Sequence, residues 1–380
     1  MTDAGRGAPP PMAADSRSSA NRILVAVGIL AALVYGSVAR VHRRLGRWFR
    51  GGRGRPSCAV LSVGGLTVGG SGKTPVAAAL ALGLHRRGRR VALASRGYGG
   101  DNTRAVLVVS DGRCLFSSVG EAGDEALLLA AHAPGVPVLI GRDRLVVGHH
   151  AVSSFDTEIL VLDDGFQHHR LARDLDVVCI DGRAGLGNRR VLPAGPLREP
   201  CSALRDADWL CVVDGGVVDG DGDEGGAAGT SEKEADLIAD FVASGRRVLR
   251  ARRAPRDLTS LDRKRREPLS SLVGRSVGLL AGVGRPGSVR RTLESLGARI
   301  CAERLFPDHH AYRPADLESL DPAAREWITT EKDALKILPA WCPDTRIAVL
   351  GIEVEFEDET ATLDAVEAAL RDRGQPRSIR

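Results

Sequence analysis

Aromatic residues are scarce: Phe, Trp and Tyr together make up 4% of the 380 residues. That argues against a surface built to stack nucleic-acid bases, which needs aromatic platforms. The seven cysteines are scattered and contain no C-x-x-C pair. This excludes a zinc site of the usual spacing and a disulfide framework, and fits reduced thiols in a cytosolic setting. The acidic, Gly-rich run from Asp214 to Glu234 lacks the terminal Glu of a Ca²⁺ loop and reads as a linker or surface insertion. One long apolar run carries no charge, Ile23–Ala39. It sits at the lower limit for a membrane-spanning helix.

What is present is ordinary for a globular chain: 43% hydrophobic residues and a length that supports two domains. The formal net charge is +5, with arginines concentrated between Arg40 and Arg55. Val38, Val41, Leu45, Trp48 and Phe49 carry an apolar stripe on through Arg40, Arg43, Arg44, Arg47 and Arg50. This pattern predicts a helix at a membrane interface, with the Arg side chains at lipid headgroups. Residues 1–21 are rich in Gly, Ala, Pro and Ser and are expected to be disordered.

The chain is organised around SVGGLTVGGSGKTP, Ser62–Pro75. A short apolar segment precedes it, and Val76, Leu80 and Leu84 follow at helical spacing. A strand passing through a Gly-rich turn into a helix lets backbone N–H groups close around phosphate oxygens, and the helix N-terminus adds positive potential. Lys73 is expected on the β- and γ-phosphates and Thr74 on Mg²⁺. Thr67 stands where the generic pattern has Gly, but Gly69, Gly70 and Gly72 still permit a tight loop. The expected nucleotide cradle is Thr67, Val68, Gly69, Gly70, Ser71, Gly72, Lys73 and Thr74.

Strands are expected at 58–63, 90–95, 137–141, 157–162, 175–181 and 208–213, with helices at 73–87, 123–133, 143–153 and 200–206. The alternation implies a mostly parallel sheet covered on both faces, with ligands at the carboxyl ends of its strands. The polar motifs fall at those ends: SRGYGG (95–100), GDEALLL (123–129) and LDDGFQHHRLARD (162–174). An apolar strand ending in Asp163-Asp164 suits a Mg²⁺ site facing the phosphates. Asp124 has a plainer reading as a helix cap. The loop GNRRVLPAGPLREP (187–200) is too long and polar for a connector. A second α/β unit follows, with strands near 246–251, 276–281, 298–303, 326–329 and 346–354. GVGRP (282–286), FPDHH (306–310) and TTEKD (329–333) lie at its strand ends. The fold class is therefore α/β, a P-loop NTPase-like mostly parallel sheet with a second, smaller α/β domain and an N-terminal membrane-associated helix. The expected segments are 1–21, 22–55, 56–213, 214–235 and 236–380.

In their order and spacing these motifs, the last of them extended to TTEKDALK (329–336), resemble the tetraacyldisaccharide 4'-kinase family, the lipid A 4'-kinases of Gram-negative bacteria. Gly65 departs from the Asn usual there, and Ala126 from a frequent Pro. The resemblance implies transfer of a phosphoryl group from ATP, with Mg²⁺, to the 4'-hydroxyl of an acylated disaccharide 1-phosphate lipid. It implies work at the cytoplasmic face of the inner membrane. It further implies that Asp124 is the catalytic base, oriented by His309 of the second domain, so that closure of a cleft completes the site. Arg96, Gln167, Arg198 and Glu199 are expected on the substrate or nucleotide side. Thr74 with Asp163 or Asp164 would hold the metal. A monomer that binds a membrane surface and no nucleic acid is expected.

Two other classes compete. A GTPase would carry [NT]-K-x-D, whereas Thr330-Glu331-Lys332-Asp333 sets Lys beside Asp. A membrane-associated ATPase switch without kinase activity would carry an extra Lys where Val68 stands, and would have no use for the loop 187–200.

Overall fold

The computed structural model describes residues 31–32, 34–39, 41, 43, 54–214, 232–308, 310–342 and 346–374. The expected disordered N-terminus, most of the acidic run 214–235 and His309 lie outside the described residues.

A single sheet runs through the described chain. Its first part contains β1 (Ala59–Gly65), β2 (Val91–Ser95), β3 (Leu107–Ser110), β4 (Val138–Ile140), β5 (Ile159–Asp163), β6 (Leu175–Asp181) and β7 (Trp209–Val213). The remainder is β8 (Arg247–Ser260), β9 (Arg266–Glu267), β10 (Ser276–Ala281), β11 (Arg299–Leu305), β12 (Glu326–Thr330) and β13 (Arg346–Phe356). The order is β11-β10-β12-β13-β8-β7-β6-β1-β5-β2-β4-β3, with β9 on β8. Strands β1, β2, β4, β5, β6 and β7 pair in parallel. Both faces are covered, so β1, β5 and β6 are apolar and buried almost without interruption, as parallel strands should be. Sequence periodicity misses the edge strand β3, which is short and antiparallel to β4.

The helices follow from their apolar spacing. Helix α1 (Lys73–Arg86) buries Val76, Leu80 and Leu84 on the sheet, and Gly88, at φ 83°, ends it. Helix α2 (Asp124–His132) buries Ala126, Leu127 and Leu129. Helix α3 (Arg144–Phe155) starts at Asp143, whose side chain accepts from the Leu145 amide at 3.0 Å. In the second part, α4 (Pro286–Ser295) follows β10 and α5 (Glu331–Ala334) follows β12. The last helix, α6 (Glu359–Gly374), returns to the first part. Its Leu363, Val366 and Leu370 join the core formed by Val76, Leu80 and Leu84 of α1.

Near the N-terminus, residues 31–32, 34–39, 41 and 43 are helical. Ala32, Gly36 and Arg43 are buried, whereas Val34, Val38 and Val41 are exposed. Arg43 corrects the sequence reading, because it lies in the protein and not at a headgroup. Its guanidinium pairs with Glu199 and Asp206 and sits 4.6 Å over the Phe166 ring. Among the described residues no helix is long and apolar enough to cross a membrane.

Candidate active site

Strand β1 lies between β5 and β6, and its carboxyl end opens into the Gly-rich loop. Gly69, Gly70 and Gly72 all adopt positive φ, 71°, 59° and 77°. A side chain would strain each of these positions. Helix α1 begins at Lys73, so its first amide groups face the loop. Gly65, the departure from the family pattern, is filled by its neighbours: a Cβ there would lie 2.8 Å from Ser71 Oγ and 3.1 Å from Lys73 Cδ. The space a side chain would need at 65 is taken by the loop's own Ser and Lys.

The parallel register sets Val63 beside Asp163, which brings the end of β5 against the loop. Thr74 Oγ1 donates to Asp163, at 3.1 Å from Oδ2. Lys73 Nζ is 3.8 Å from Asp164 Oδ1, and Arg198 pairs with Asp164 Oδ2. Burial, then the charges of Glu125 and Asp164, push Asp163 up to about 7. Burial also raises Asp164, but Lys73 and then Arg198 more than offset it and hold it below the usual carboxylate range. Burial raises Glu125 as well. A cluster of carboxylates, one resisting ionisation beside a threonine hydroxyl, is a donor set that suits Mg²⁺. Among the described residues no group of three His, Cys, Asp or Glu forms a cage by itself. Mg²⁺ takes one or two carboxylates and completes its shell with phosphates and water.

The loop after β5 is shaped by Arg173, whose Nη1 donates to the carbonyls of Gly165, Phe166 and His168 at 2.9, 3.1 and 3.0 Å. Gln167 Nε2 donates to the Gly65 carbonyl at 3.0 Å, so it props the start of the Gly-rich loop. Arg96 is exposed at the carboxyl end of β2. Glu199 departs from its expected place on the substrate side. It is 5% exposed, paired with Arg43, and has His169 Nε2 at 3.7 Å. Its carboxylate anchors the N-terminal helical residues, and its neighbour Arg198 is the one that reaches the site.

Asp124 is 6% exposed, at the first position of α2. The cap position belongs to Gly123, at φ 81°, so the capping reading of Asp124 does not hold. Gly123 is pressed against SRGYGG: a Cβ there would meet the Tyr98 carbonyl oxygen at 2.2 Å. The Asp124 carboxylate faces the second part of the chain, with Lys336 Nζ 3.6 Å and Lys332 Nζ 4.0 Å from Oδ2. Lys332 also contacts Asp308 at 3.1 Å. FPDHH and TTEKDALK therefore converge on Asp124, while His309 itself lies outside the described residues.

The structure thus brings Lys73, Thr74, Asp163, Asp164 and Arg198 together at one corner and puts Asp124 with Lys332 and Lys336 at another. Glu125 bridges the two electrostatically, since Lys332, Asp124, Lys73 and Asp164 all act on its titration. Sequence reasoning missed Glu125, Lys332 and Lys336, and set Arg43 at lipid headgroups. The motif spellings GDE and TTEKDALK did contain the first three.

A family model described as tetraacyldisaccharide-1-P 4'-kinase matches residues 24–371. The chain is 43% identical over 321 residues to a tetraacyldisaccharide 4'-kinase of Anaeromyxobacter sp. (strain Fw109-5), covering 82% of this chain and 83% of that one. It is 43% identical over 291 residues to the protein of that name from Syntrophus aciditrophicus (strain SB), covering 75% and 77%. Among solved structures, it resembles the "apo" form of LpxK from Aquifex aeolicus in complex with ATP. The TM-score is 0.72 at 28% identity, over 91% of this chain and 99% of that one.

Proposed function

The chain belongs to the tetraacyldisaccharide-1-P 4'-kinase family, and from that premise we propose how its own residues carry the reaction. The activity is phosphoryl transfer from ATP to the 4'-hydroxyl of a tetraacyldisaccharide 1-phosphate, a step of lipid A biosynthesis. ATP is the donor and Mg²⁺ its companion. The single observation that best supports the assignment of roles is the Thr74–Asp163 hydrogen bond beside the Lys73–Asp164 pair. It joins a phosphate loop to a metal-holding carboxylate at the end of the neighbouring strand.

The loop amides from Thr67 to Thr74 and the Lys73 ammonium hold the β- and γ-phosphates. Thr74 and Asp163 would hold Mg²⁺, while Asp164 positions Lys73 and Arg198. When bound, Mg²⁺ neutralises charge on the phosphate oxygens. The 4'-oxygen attacks the γ-phosphorus, and the bond to the β–γ bridging oxygen breaks. The hydroxyl proton passes to Asp124, and ADP departs. Burial of Asp124 excludes bulk water from the acceptor. Lys332 and Lys336 fix its direction from the second part of the chain, and His309 orients it. Arg96, exposed at the carboxyl end of β2, meets the anionic sugar phosphate; Arg198 and Gln167 keep the loop in shape.

Association with the cytoplasmic face of the inner membrane completes the reading. The substrate is acylated and stays in the bilayer, and the exposed Val34, Val38 and Val41 give the N-terminal helical residues an apolar outer face.

The test is transfer of ³²P from labelled ATP to purified disaccharide 1-phosphate lipid, with Lys73→Ala as the comparison. Loss of one electrostatic contact to a transferring phosphoryl lowers turnover by about 10²–10³. Lys73 is 8% exposed, yet it is covered by the loop and Asp164, so truncation leaves the hydrophobic core intact. Turnover near wild type in Lys73→Ala refutes the assignment.

A further inference from the structure

GVGRP, at the carboxyl end of β10, contributes nothing to the roles above, yet its arginine reaches the phosphate loop. Arg285 lies just before α4, whose first residue is Pro286. Its guanidinium covers Gly70: from the position a Cβ would take on that glycine, Arg285 Nη2 is 3.5 Å, Cζ 3.6 Å and Nε 3.8 Å away. Gly70 has no side chain, and that absence lets a planar cation lie over the loop backbone.

The guanidinium is held there from behind. Arg285 Nη1 donates to Asp181 Oδ2 at 2.9 Å. Asp181 ends β6, next to β1, and its side chain is 3% exposed. The same carboxylate accepts from Arg253 Nη2 at 2.9 Å and from the backbone amides of Arg183 and Ala184 at 3.0 and 2.9 Å. A buried carboxylate with four donors is a rigid anchor. Arg285 Nη2 and Nε make no hydrogen bond among the described residues, and the side chain is 52% exposed. The anchored edge of the fork thus faces the protein, and the remaining donors face the loop.

Gly70 lies three residues before Lys73, in a phosphate loop whose backbone, with that Lys, cradles the β- and γ-phosphates. An arginine fixed over that point meets the charge that builds as the γ-phosphorus leaves the bridging oxygen. We propose that Arg285 is a further catalytic residue of this kinase, an arginine supplied from the second part of the same chain to the β–γ region of ATP. Its guanidinium donates hydrogen bonds and stays protonated throughout, so no proton is gained or lost by it. The inference rests on the ATP-dependent kinase reading and adds to it a residue outside the loop, the metal corner and the acceptor corner.

The test uses the full chain with Arg285→Gln, which keeps a polar side chain that can donate a hydrogen bond, and with Arg285→Ala. Titration calorimetry measures ATP and AMP affinity, a thermal scan measures the midpoint, and single-turnover assays measure phosphoryl transfer. In both variants the transfer rate should fall by about 10²-fold, as for loss of one oriented donor. ATP should bind about tenfold more weakly while AMP affinity and the midpoint hold. Those two changes also separate a phosphate contact from a brace between the two parts. A lowered midpoint with an unchanged ATP-to-AMP affinity ratio overturns the proposal, as does a transfer rate within twofold of wild type. Failure of the wild-type protein to bind ATP instead overturns the kinase reading on which the inference rests.

Discussion

Replacing Arg43 with alanine tests whether the N-terminal helical residues are part of the catalytic unit. The Arg43 side chain is 7% exposed and that of its partner Glu199 is 6% exposed. Truncation leaves a buried carboxylate with His169 at 3.7 Å as its nearest ion-pair partner. Removing one member of a buried pair costs about 3–5 kcal/mol, because the other charge stays desolvated. The contact over Phe166 at 4.6 Å adds roughly 1 kcal/mol. The domain core does not depend on Arg43, so the loss falls on docking of the helix and not on global unfolding. At about 1.4 kcal/mol per factor of ten, amides of residues 34–39 should lose roughly 10³–10⁴-fold of their hydrogen-exchange protection. Turnover should drop too, since Glu199 adjoins Arg198, which holds Asp164. Arg43→Ala combined with Glu199→Gln removes the uncompensated charge and should restore at least half of the lost protection, read as log protection factor. A change below fivefold in Arg43→Ala, or no recovery in the double variant, refutes the reasoning.

Three further outcomes are expected. Asp124→Asn should lower turnover by about 10²–10⁴ while ATP affinity holds, because the amide cannot accept the proton; stopped-flow product release with normal turnover would remove Asp124 from the mechanism. Val34→Asp with Val38→Asp should cut sedimentation with anionic phospholipid vesicles by roughly tenfold or more, with activity on detergent-dispersed lipid within twofold of wild type; undiminished sedimentation would place membrane contact elsewhere. Asp163 titrates near 7 when folded, against an ordinary value of 3.8. Between those pH values the native state holds a proton that the unfolded chain has released, so the group destabilises the nucleotide-free protein increasingly as pH rises from about 4 to 7. Asp163→Asn should flatten that slope in thermal scans. Binding of Mg²⁺–ATP to wild type at pH 6 should release a proton, seen as buffer-dependent heat in calorimetry, and the variant should release none.

The parts of the site legible in the sequence were those in which spacing and neighbours fix geometry. A glycine-rich turn between a strand and a helix carries Lys73 and Thr74 with it, and an apolar strand ending in Asp163 has one place to go beside β1. Arg43 was misread because its spacing among other arginines describes a basic stripe equally well whether a side chain meets water, lipid or a buried carboxylate. Glu199 was misread for the matching reason: its partner lies 156 positions away, and no local pattern records that. The edge strand β3, with four residues and an irregular register, carries too little periodicity to be seen. Lys332 and Lys336 stand one turn apart in a motif that was recognised, but their convergence on Asp124 depends on the packing of α2 against α5.

How that packing can change follows from the sheet. Up to Ala251, β8 pairs with β7; from Arg252 to Pro255 its partner is β13 alone, over Ile352 to Glu355. β12 reaches β13 only as far as Leu350, and β9 meets β8 only at Leu258 and Thr259. The two parts of the sheet therefore join through a short two-stranded antiparallel ribbon, with a register shift between Gly351 and Ile352. Such ribbons twist more readily than wider sheets, and a bulge adds local twist without breaking the ladder on either side. GVGRP and TTEKDALK hang from the ends of β10 and β12, beyond the ribbon, and their strands are paired to each other. A rotation about the ribbon therefore carries Arg285, Lys332 and Lys336 as one body relative to Gly70 and Asp124. A contact across the seam opposes it: Glu331 lies 2.8 Å from His132 Nε2. On the ribbon itself, Arg253 shares Asp181 with Arg285. The same carboxylate at the end of β6 thus bonds both a residue of the ribbon and the arginine that lies over the phosphate loop.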